Sequence, residues 1–313
     1  MSKIRTAVVG VGYLGKFHAD KYAALPDAEL VAVCDASADT ANEIANKLGV
    51  EGLTDHTQLF GKVDAVSIVV PTQLHYEVAK QFLENGIHVL LEKPITATVA
   101  QAEELVKIAA EKKLVFQIGH LERFNPAILA LDEVMAAPLF IESQRIAPFN
   151  PRGADVSVIL DLMIHDIDII LDLVNSPVKS IQAKGVAVLS KDIDIANARL
   201  EFENGCVANV TASRAGMKSE RKMRLFQHDA YISVDFGNKK LGVHKKGDGE
   251  MFPGVAEIDS QEQIFDGGDA LYSETEAFIK AIQNGSEPVV SGEAGKRALE
   301  TAMEITRLLG LQK

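Results

Sequence analysis

The sequence predicts a doubly wound α/β domain with a parallel sheet, followed by an α+β domain with a mainly antiparallel sheet. Over residues 1–121, short apolar runs alternate with helix-like segments, which is typical of a parallel sheet with right-handed crossovers. From about residue 178 to 258, strand-like segments separated by turns replace that alternation and indicate antiparallel strands. We therefore predict two domains, 1–121 and 122–313, and we expect that the C-terminal helix can pack back on the first.

The predicted strands of the first domain are short apolar runs, as expected for strands buried on both faces of a sheet. They are Thr6–Val9, Leu30–Cys34, Ala65–Val70, His88–Leu91 and Val115–Ile118. Helical spacing of apolar residues predicts helices over Tyr13–Ala24, Ala38–Leu48, Leu74–Asn85 and Thr98–Glu111. In the second domain we predict a strand over Phe140–Pro148 and helices over Pro126–Ala136, about 156–174, Ala270–Gln283 and Gly292–Leu309.

A glycine-rich string, GVGYLG at residues 10–15, joins the first predicted strand to the first predicted helix. This is the context that a dinucleotide-binding loop requires. There Gly10 permits the tight turn, Gly12 lets the backbone approach a pyrophosphate, and Gly15 lets the helix pack closely on the strand. The N–H groups and positive dipole end of the helix hold the phosphates, and we expect Tyr13 and Leu14 to contact the cofactor as well. The alternative is a glycine-rich turn without a ligand.

The second predicted strand ends at Asp35, 20 residues after Gly15. A carboxylate at this distance hydrogen-bonds the adenosine ribose and prefers a bare 2′-hydroxyl over a 2′-phosphate. Ala36 and Ser37 follow the acid, and no Arg or Lys is near it in the sequence to attract a 2′-phosphate. We therefore expect a Rossmann domain that binds NAD rather than NADP.

Two further strings follow predicted strands, PTQLH at 71–75 and EKP at 92–94. Because ligands bind at the carboxyl ends of strands in open α/β sheets, both are expected at the cofactor site. The candidate cofactor contacts are Pro71, Thr72, His75, Glu92 and Lys93. Pro94 favours an extended Lys93, whose amine can donate a hydrogen bond to a substrate hydroxyl and relay protons. The alternative for Lys93 is a solvated surface side chain.

The segment LDLMIHDID at 160–168 places acids and an imidazole in an apolar helix. Spacings of four and three put Asp161, His165 and Asp168 on one helical face, with Asp172 extending it. For hydride chemistry we expect His165 to remove an alcohol proton while Asp161 orients the ring. The alternatives are a hydrogen-bonded internal histidine and a metal site. The absence of another His cluster or a Cys pair in the sequence disfavours the metal.

The segment GHLERFNP at 119–126 lies where the chain leaves the first predicted domain. Arg123 and Asn125 are candidates for binding substrate or, alternatively, for holding the domains together. Arg145 and Arg152 are weaker candidates for binding a phosphate. The basic segment 214–224 is either a patch for an anionic substrate such as a sugar nucleotide or a solvated hairpin face.

Composition restricts the partners and the compartment. The 313 residues suffice for two sizeable cores, and no apolar run is long enough to span a bilayer. The short apolar run that follows Lys3 predicts a strand rather than a signal peptide. A net charge of −12 disfavours nucleic acid and anionic membranes as partners. Cys34 and Cys206 lie far apart without a CxxC motif, so we expect reduced thiols in a cytoplasmic protein.

Together these residues resemble the glucose–fructose oxidoreductase/inositol dehydrogenase family, also called Gfo/Idh/MocA, over essentially the whole chain. The glycine string, PTxxH at 71–75, EKP at 92–94 and DxxxHxxD at 161–168 carry the resemblance. It implies a Rossmann domain followed by an open-faced, mainly antiparallel sheet, whose exposed face commonly makes dimer or tetramer contacts. It also implies that Lys93, Asp161 and His165 face the nicotinamide and the sugar. The chain departs from the family at Met163, where Gly is common.

Two shorter strings, VGYLGKFH at 11–18 and the segment 119–126, are similar to the branch of the family that oxidises C3 of UDP-N-acetylglucosamine. The resemblance implies an NAD-dependent dehydrogenase of a UDP-N-acetylamino sugar, in a homodimer or homotetramer. Two alternatives stay open. One is an inositol or free-sugar dehydrogenase of the same family. The other is an NAD-sensing regulator without catalysis, because a fold does not determine a function.

Overall fold

The computed structural model describes residues 2–150 and 156–310 and consists of two compact units. The first unit comprises Met1–Leu121 and Asp269–Leu299, and the second comprises Glu122–Gly268 and Glu300–Lys313. Among the residues in these described ranges, no helix combines the length and the apolar character needed to cross a membrane.

The first unit contains a six-stranded parallel sheet. Its strands are β1 Ile4–Val9, β2 Ala28–Cys34, β3 Glu51–Leu53, β4 Ala65–Ile68, β5 His88–Glu92 and β6 Phe116–Gly119. Their order in the sheet, β3-β2-β1-β4-β5-β6, is that of a Rossmann fold. Strand β3 was not among the predicted strands, because three residues with a single buried side chain carry no recognisable strand pattern.

The helices of the first unit agree with the predicted ones to within one or two residues at each end. They are α1 Gly15–Ala24, α2 Ala38–Leu48, α3 Thr72–Glu84, α4 Val99–Lys112 and α7 Ala270–Asn284; α8, Gly292–Leu308, is divided between the units. Capping side chains explain where α2 and α4 begin. The Ser37 side chain accepts a hydrogen bond from the Thr40 N–H, and the Thr98 side chain accepts one from the Gln101 N–H. The core of this unit packs side chains of α1, α2 and α7, such as Tyr22, Ile44 and Phe278, with the sheet.

The second unit contains an eight-stranded sheet in the order β14-β13-β12-β11-β7-β10-β9-β8. Its strands are β7 Phe140–Ile146, β8 Val178–Val186, β9 Ile195–Phe202, β10 Val207–Ser213, β11 Glu220–Phe226, β12 Ala230–Asp235, β13 Lys240–Phe252 and β14 Val255–Ile264. All neighbours are antiparallel except β7 and β10, which are parallel. The predicted fold class, a Rossmann sheet followed by a mainly antiparallel sheet, is therefore confirmed.

Two helix predictions in the second unit were wrong in detail. The helix predicted over Pro126–Ala136 is a short α-helix, α5 Pro126–Leu129, continued by a 3₁₀ helix, Ala130–Glu133. Pro138 lies close behind and cannot continue a helix. In the helix predicted from about residue 156, a π-helical turn, Ile159–Met163, precedes α6, Ile164–Val174. Apolar periodicity does not distinguish i→i+5 from i→i+4 hydrogen bonding.

Candidate active site

The glycine loop in the first unit connects β1 to α1, and its three glycines meet different constraints. Gly10 has a φ of 86°, and a Cβ there would lie 2.6 Å from the Val69 carbonyl oxygen. A Cβ on Gly15 would overlap the Gly10 carbonyl oxygen. A Cβ on Gly12 would meet no heavy atom within 4 Å. The fold thus requires Gly10 and Gly15, whereas at Gly12 the chain itself leaves the space that a closely bound pyrophosphate needs.

Asp35 is held beside this loop by two backbone N–H groups. Its Oδ2 accepts from Val11 N at 2.9 Å and its Oδ1 from Ser37 N at 2.9 Å. The carboxylate is half-buried and keeps acceptor capacity for a further hydroxyl. Tyr13 and Leu14 expose 74% and 51% of their surface, which leaves apolar side chains available at the loop. These features fit a bound dinucleotide.

His75 ties together the two loops that follow β4 and β5. Its Nδ1 lies 2.8 Å from the Pro94 carbonyl oxygen and its Nε2 lies 2.9 Å from the Val70 carbonyl oxygen. The ring is 1% exposed, and this burial lowers the pKa of His75. Pro71 and Thr72 lie at the start of α3, next to one of these loops. His75 therefore positions the loops that carry the predicted cofactor contacts.

Glu92 turns its carboxylate toward the interior of the first unit. Its Oε1 lies 3.1 Å from His18 Nε2, and its Oε2 accepts from the backbone N–H of Lys93 at 3.2 Å. Burial alone would raise the pKa of Glu92, but the hydrogen bond with His18 and the charge of Lys93 outweigh it and lower the pKa. A half-buried acid thus precedes the predicted catalytic lysine in the chain.

The second group of candidates lies on the π turn and α6 in the second unit. Asp161 belongs to the π turn and His165 to the first turn of α6, and both are half-buried. π turns occur frequently at functional sites. Met163 between them is fully buried, so its side chain belongs to the core of this unit.

Two acids of that helix, Asp168 and Asp172, face Arg123. The Arg123 Nη2 lies 2.6 Å from Asp172 Oδ1, and its Nη1 lies 3.9 Å from Asp168 Oδ2. Asn125 caps α5, where its Oδ1 accepts from Ala127 N at 3.1 Å, and its Nδ2 donates to the Phe236 carbonyl at 3.2 Å. All of these contacts lie within the second unit.

Next to His165 in the chain, Asp166 belongs to a buried ion-pair network that the sequence did not predict. Arg145 donates to both carboxylate oxygens of Asp166, at 2.7 and 3.2 Å, and to Glu122 Oε1 at 2.8 Å. Arg145 and Asp166 expose 3% and 1% of their surface. The signal was an acid directly after His165 in an apolar helix, which needs a buried partner. Arg145 is thus not a phosphate ligand, and Arg152 lies outside the described residues.

Four of the five cations in the basic segment 214–224 lie next to acids. Arg214 is buried, and its Nε lies 2.9 Å from Asp194 Oδ1. The other cations that have ion pairs here are half-exposed or exposed and face acids at 3.3–3.5 Å: Arg221 with Glu122, Lys222 with Glu220, and Arg224 with Glu142. Because acids compensate these four charges, the geometry favours the alternative of a solvated hairpin face over a patch for an anionic substrate.

Two family models match the chain. One, described as "Oxidoreductase family, NAD-binding Rossmann fold", covers residues 4–120, and the other, described as "GFO/IDH/MocA C-terminal domain", covers residues 143–233. The chain belongs to the GFO/IDH/MocA family. It is therefore an NAD-binding oxidoreductase, which confirms the expected cofactor and enzyme class.

Individual members of the family are similar to this chain along its length. UDP-N-acetylglucosamine 3-dehydrogenase of Acidithiobacillus ferrooxidans is 40% identical over 97% of both sequences. A solved structure of that enzyme has a TM-score of 0.93 and covers 100% of each chain. Inositol 2-dehydrogenase of Rhizobium meliloti is 27% identical over 96% of this chain and 94% of its own length. The structure of levoglucosan dehydrogenase in complex with NADH has a TM-score of 0.87 and 19% identity, and covers 99% of this chain and 97% of its own. This similarity shows the fold alone.

Replacing Gly12 by Ala is expected to weaken NAD binding without destabilising the fold. The added methyl meets no protein atom within 4 Å, but it occupies the space of close pyrophosphate approach. We expect the Kd for NAD, measured by calorimetry, to rise about tenfold or more, or about 1.4 kcal/mol. The melting temperature without NAD should stay close to that of the parent protein.

Two glycine variants serve as controls for that measurement. Gly237→Ala adds a methyl in ordinary contact with Asp235 Oδ1 at 3.5 Å and should leave the Kd unchanged. Gly15→Ala should instead destabilise the fold, because its methyl overlaps backbone. Unchanged NAD affinity in Gly12→Ala would contradict the assigned role of the loop.

Replacing Asp35 by Ser is expected to reduce the preference for NAD over NADP. The variant loses the carboxylate that favours a bare 2′-hydroxyl over a 2′-phosphate. We expect kcat/KM with NAD to fall about tenfold, or about 1.4 kcal/mol, and the NADP-to-NAD ratio of kcat/KM to rise. Asp35→Asn, which keeps an acceptor for Val11 or Ser37, controls for damage to the loop. An equal loss with both dinucleotides would refute the assignment.

Proposed function

We propose that this protein is an NAD-dependent dehydrogenase that oxidises C3 of a UDP-N-acetylamino sugar. The observation that carries the proposal is the end-to-end similarity to UDP-N-acetylglucosamine 3-dehydrogenase, at 40% identity over 97% of both sequences. The inositol 2-dehydrogenase that also matches nearly end to end has 27% identity. A sugar nucleotide is therefore the first substrate class to test.

Cofactor binding is assigned to residues of the first unit. Gly10, Gly12, Gly15 and the first turn of α1 hold the pyrophosphate, and Asp35 holds the adenosine ribose. The further proposed contacts are Tyr13, Leu14, Pro71, Thr72, His75, Glu92 and Lys93. When bound, NAD supplies the hydride acceptor.

The proposed chemistry separates the proton from the hydride. His165 takes the proton of the C3 hydroxyl as general base, while the C3 hydrogen leaves with its electron pair as hydride. Lys93 donates a hydrogen bond to the reacting oxygen and stabilises the negative charge that develops there before the ketone forms. Asp161 orients the His165 ring and stabilises its charged form.

Arg123 and Asn125 are proposed to support substrate binding indirectly, by fixing the position of the segment 119–126 to which they belong. Arg123 anchors this segment by its ion pair with Asp172, and Asn125 anchors it by capping α5. The same segment is one of the two strings that are similar to UDP-N-acetylglucosamine 3-dehydrogenases. Its backbone and its remaining side chains are therefore the place to look for direct sugar contacts.

The decisive experiment measures NADH absorbance with purified protein, NAD and a substrate panel. The panel contains UDP-N-acetylglucosamine, UDP-N-acetylgalactosamine, UDP-glucose, myo-inositol and glucose. We expect NADH with a UDP-N-acetylamino sugar at a kcat/KM at least about tenfold above that of the other substrates, a difference of about 1.4 kcal/mol. NMR of the product should show a ketone at C3.

Other outcomes of that panel select the alternatives. NADH formation with myo-inositol or glucose alone would identify an inositol or free-sugar dehydrogenase. Thermal stabilisation by NAD without turnover of any substrate would support the NAD-sensing regulator, since a ligand of the folded state raises its melting temperature. A single-turnover measurement detects NAD that stays bound, so slow cofactor exchange does not mimic inactivity.

Oligomeric state and location are further parts of the proposal. A row of aromatic rings, Phe140, Phe226, Tyr231 and His244, has neighbouring centroids 5.1–5.8 Å apart on the eight-stranded sheet. This row supports a homodimer or homotetramer formed through the sheet, which light scattering of the purified protein tests. Cys34 and Cys206 are both buried free thiols, which supports a reducing cytoplasm.

A further inference from the structure

Arg214 is a buried cation of the second unit that the proposed mechanism does not use. It follows β10 directly and is 6% exposed. Each of its three guanidinium nitrogens donates a hydrogen bond: Nε to Asp194 Oδ1 at 2.9 Å, Nη1 to the Val156 carbonyl oxygen at 3.0 Å, and Nη2 to Ser190 Oγ at 3.3 Å. The guanidinium thus connects the end of β10 with the residues before β9 and with the segment that leads into the π turn.

Asp194 fixes the position of this guanidinium. It is 0% exposed, and its Oδ2 accepts from the backbone N–H groups of residues 188–190 at 2.6–2.9 Å. Its Oδ1 also accepts from Ser190 Oγ at 2.7 Å, and its carbonyl accepts from the Arg214 N–H at 2.8 Å. Burial alone would raise the pKa of Asp194, but the hydrogen bonds with Ser190 and the backbone outweigh it and lower the pKa. A carboxylate held at so many points leaves the guanidinium little freedom.

The Val156 carbonyl lies immediately before the residue that holds Asp161. Ser157 accepts from the Leu160 N–H through its Oγ at 3.3 Å, and from the Asp161 N–H through its carbonyl at 2.9 Å. Val156 is 38% exposed, so packing alone holds it weakly. The hydrogen bond from Arg214 therefore fixes the backbone at the point from which the position of Asp161 is set.

We propose that Arg214 is a positioning residue for Asp161 and acts through the Val156 carbonyl. Asp194 fixes the guanidinium, the guanidinium fixes the backbone at Val156, and Ser157 passes this constraint to Asp161. The effect on catalysis rests on the proposed function of Asp161 as the residue that orients the general base. The anchoring of the π turn does not depend on that function.

Arg214→Lys separates the two ends of this arrangement. Lysine offers one compact ammonium group where arginine offers a planar fork of nitrogens. We expect the ammonium to keep the ion pair with Asp194, which needs a buried counter-charge, and to lose the bond to the Val156 carbonyl. Arg199→Lys is the matched control, because Arg199 lies on β9 of the same sheet, has a side chain that is 41% exposed, and faces Glu201 at 3.6 Å.

Hydrogen–deuterium exchange of the NAD-bound protein tests the anchoring independently of activity. In Arg214→Lys we expect amides of residues 157–163 to exchange about tenfold faster, the factor that corresponds to the loss of about one hydrogen bond. Amides of β12 should exchange as in the parent protein, and Arg199→Lys should match the parent throughout. Unchanged exchange at residues 157–163, or faster exchange across the whole second unit, would overturn the anchoring.

Steady-state kinetics test the positioning role. We expect Arg214→Lys to lower kcat about ten- to hundredfold, because a displacement of about 1 Å in the reacting groups has effects of this size. The Kd for NAD should stay unchanged, since all proposed cofactor contacts belong to the first unit. Arg199→Lys should keep the parent kcat.

A second set of variants shows whether Arg214 acts through Asp161. Once Asp161→Asn has removed the carboxylate, we expect Arg214→Lys to lower kcat by less than about twofold further, because the group that it positions is already lost. A merely structural role of Arg214 would instead lower kcat by the same factor in both backgrounds, and that result would overturn the proposal.

The two proposals fail in distinguishable ways. A parent enzyme that turns over no substrate of the panel contradicts the proposed function, while hydrogen exchange still decides whether Arg214 anchors the π turn. If exchange rises as expected but kcat stays at the parent value, the positioning role is overturned. Arg214→Gln, in which Asp194 keeps its bonds from Ser190 and the backbone, repeats both measurements if Arg214→Lys does not fold. Failure of both variants to fold would assign Arg214 to folding itself and would also overturn the proposal.

Discussion

Replacement of Lys93 by Met is expected to lower kcat about 10²- to 10³-fold, the usual effect of removing one hydrogen-bond donor to a developing oxyanion. The methionine removes the donor that stabilises negative charge on the reacting oxygen and keeps a chain of similar length. Glu92 accepts from the backbone of residue 93 and retains this contact in the variant. Kinetics with saturating NAD and the best sugar nucleotide measure the loss.

Two further lysine variants make the Lys93 measurement specific. Lys107→Met changes a lysine of the same unit whose side chain is 74% exposed, and should leave kcat unchanged. Lys93→Arg should restore little activity, because the planar guanidinium presents its N–H donors in a geometry different from that of the compact ammonium group. A Lys93→Met enzyme with kcat within about twofold of the parent, a difference of under about 0.5 kcal/mol, would refute the assigned role.

Replacement of Arg145 by Met is expected to lower the free energy of unfolding by about 3–5 kcal/mol. The variant leaves the Asp166 carboxylate, which is 1% exposed, without its two hydrogen bonds from the guanidinium. It also removes the bond from Arg145 to Glu122 and the guanidinium that lies over the Phe236 ring. Urea denaturation followed by circular dichroism measures the loss.

A surface arginine provides the matched control for the Arg145 measurement. Arg224 lies 3.5 Å from Glu142, both side chains are more than 40% exposed, and Arg224→Met should cost under about 1 kcal/mol. Combining Arg145→Met with Asp166→Leu removes both buried charges and should recover much of the stability. A loss under about 1 kcal/mol in Arg145→Met would mean that Asp166 finds another partner.

Local sequence was sufficient for much of the first unit. The glycine loop, Asp35 at the end of β2 and the limits of α2 are set by residues near one another in the chain, such as Ser37, which caps α2. The apolar runs identified five of the six strands of the parallel sheet because burial on both faces requires continuous apolar sequence. The long hairpin of β13 and β14 extends beyond the predicted strands. Most of its residues are exposed and polar, so no apolar run marks its limits.

Contacts between distant segments were not predictable in this way. The parallel pairing of β7 with β10 depends on which strands meet in the sheet, and periodicity within each strand is the same for either direction. Likewise, Arg145 was one of the weaker candidates for binding a phosphate, but the fold brings it to Asp166 and Glu122. A charged side chain on the buried face of a strand such as β7 needs a partner, but the strand's own sequence does not identify that partner.

The sequence by itself determined the family, the cofactor and the order of most elements, because motif spacing and apolar periodicity are properties of neighbouring residues. Only the tertiary structure decided which buried charges meet: Arg145 with Asp166, Arg214 with Asp194, and Glu274 with Glu92 and His18. The physical reason is that a buried charge must find a counter-charge, a proton or a hydrogen bond wherever the fold supplies one. Glu274 and His18 lie in one cluster although they are far apart in the sequence.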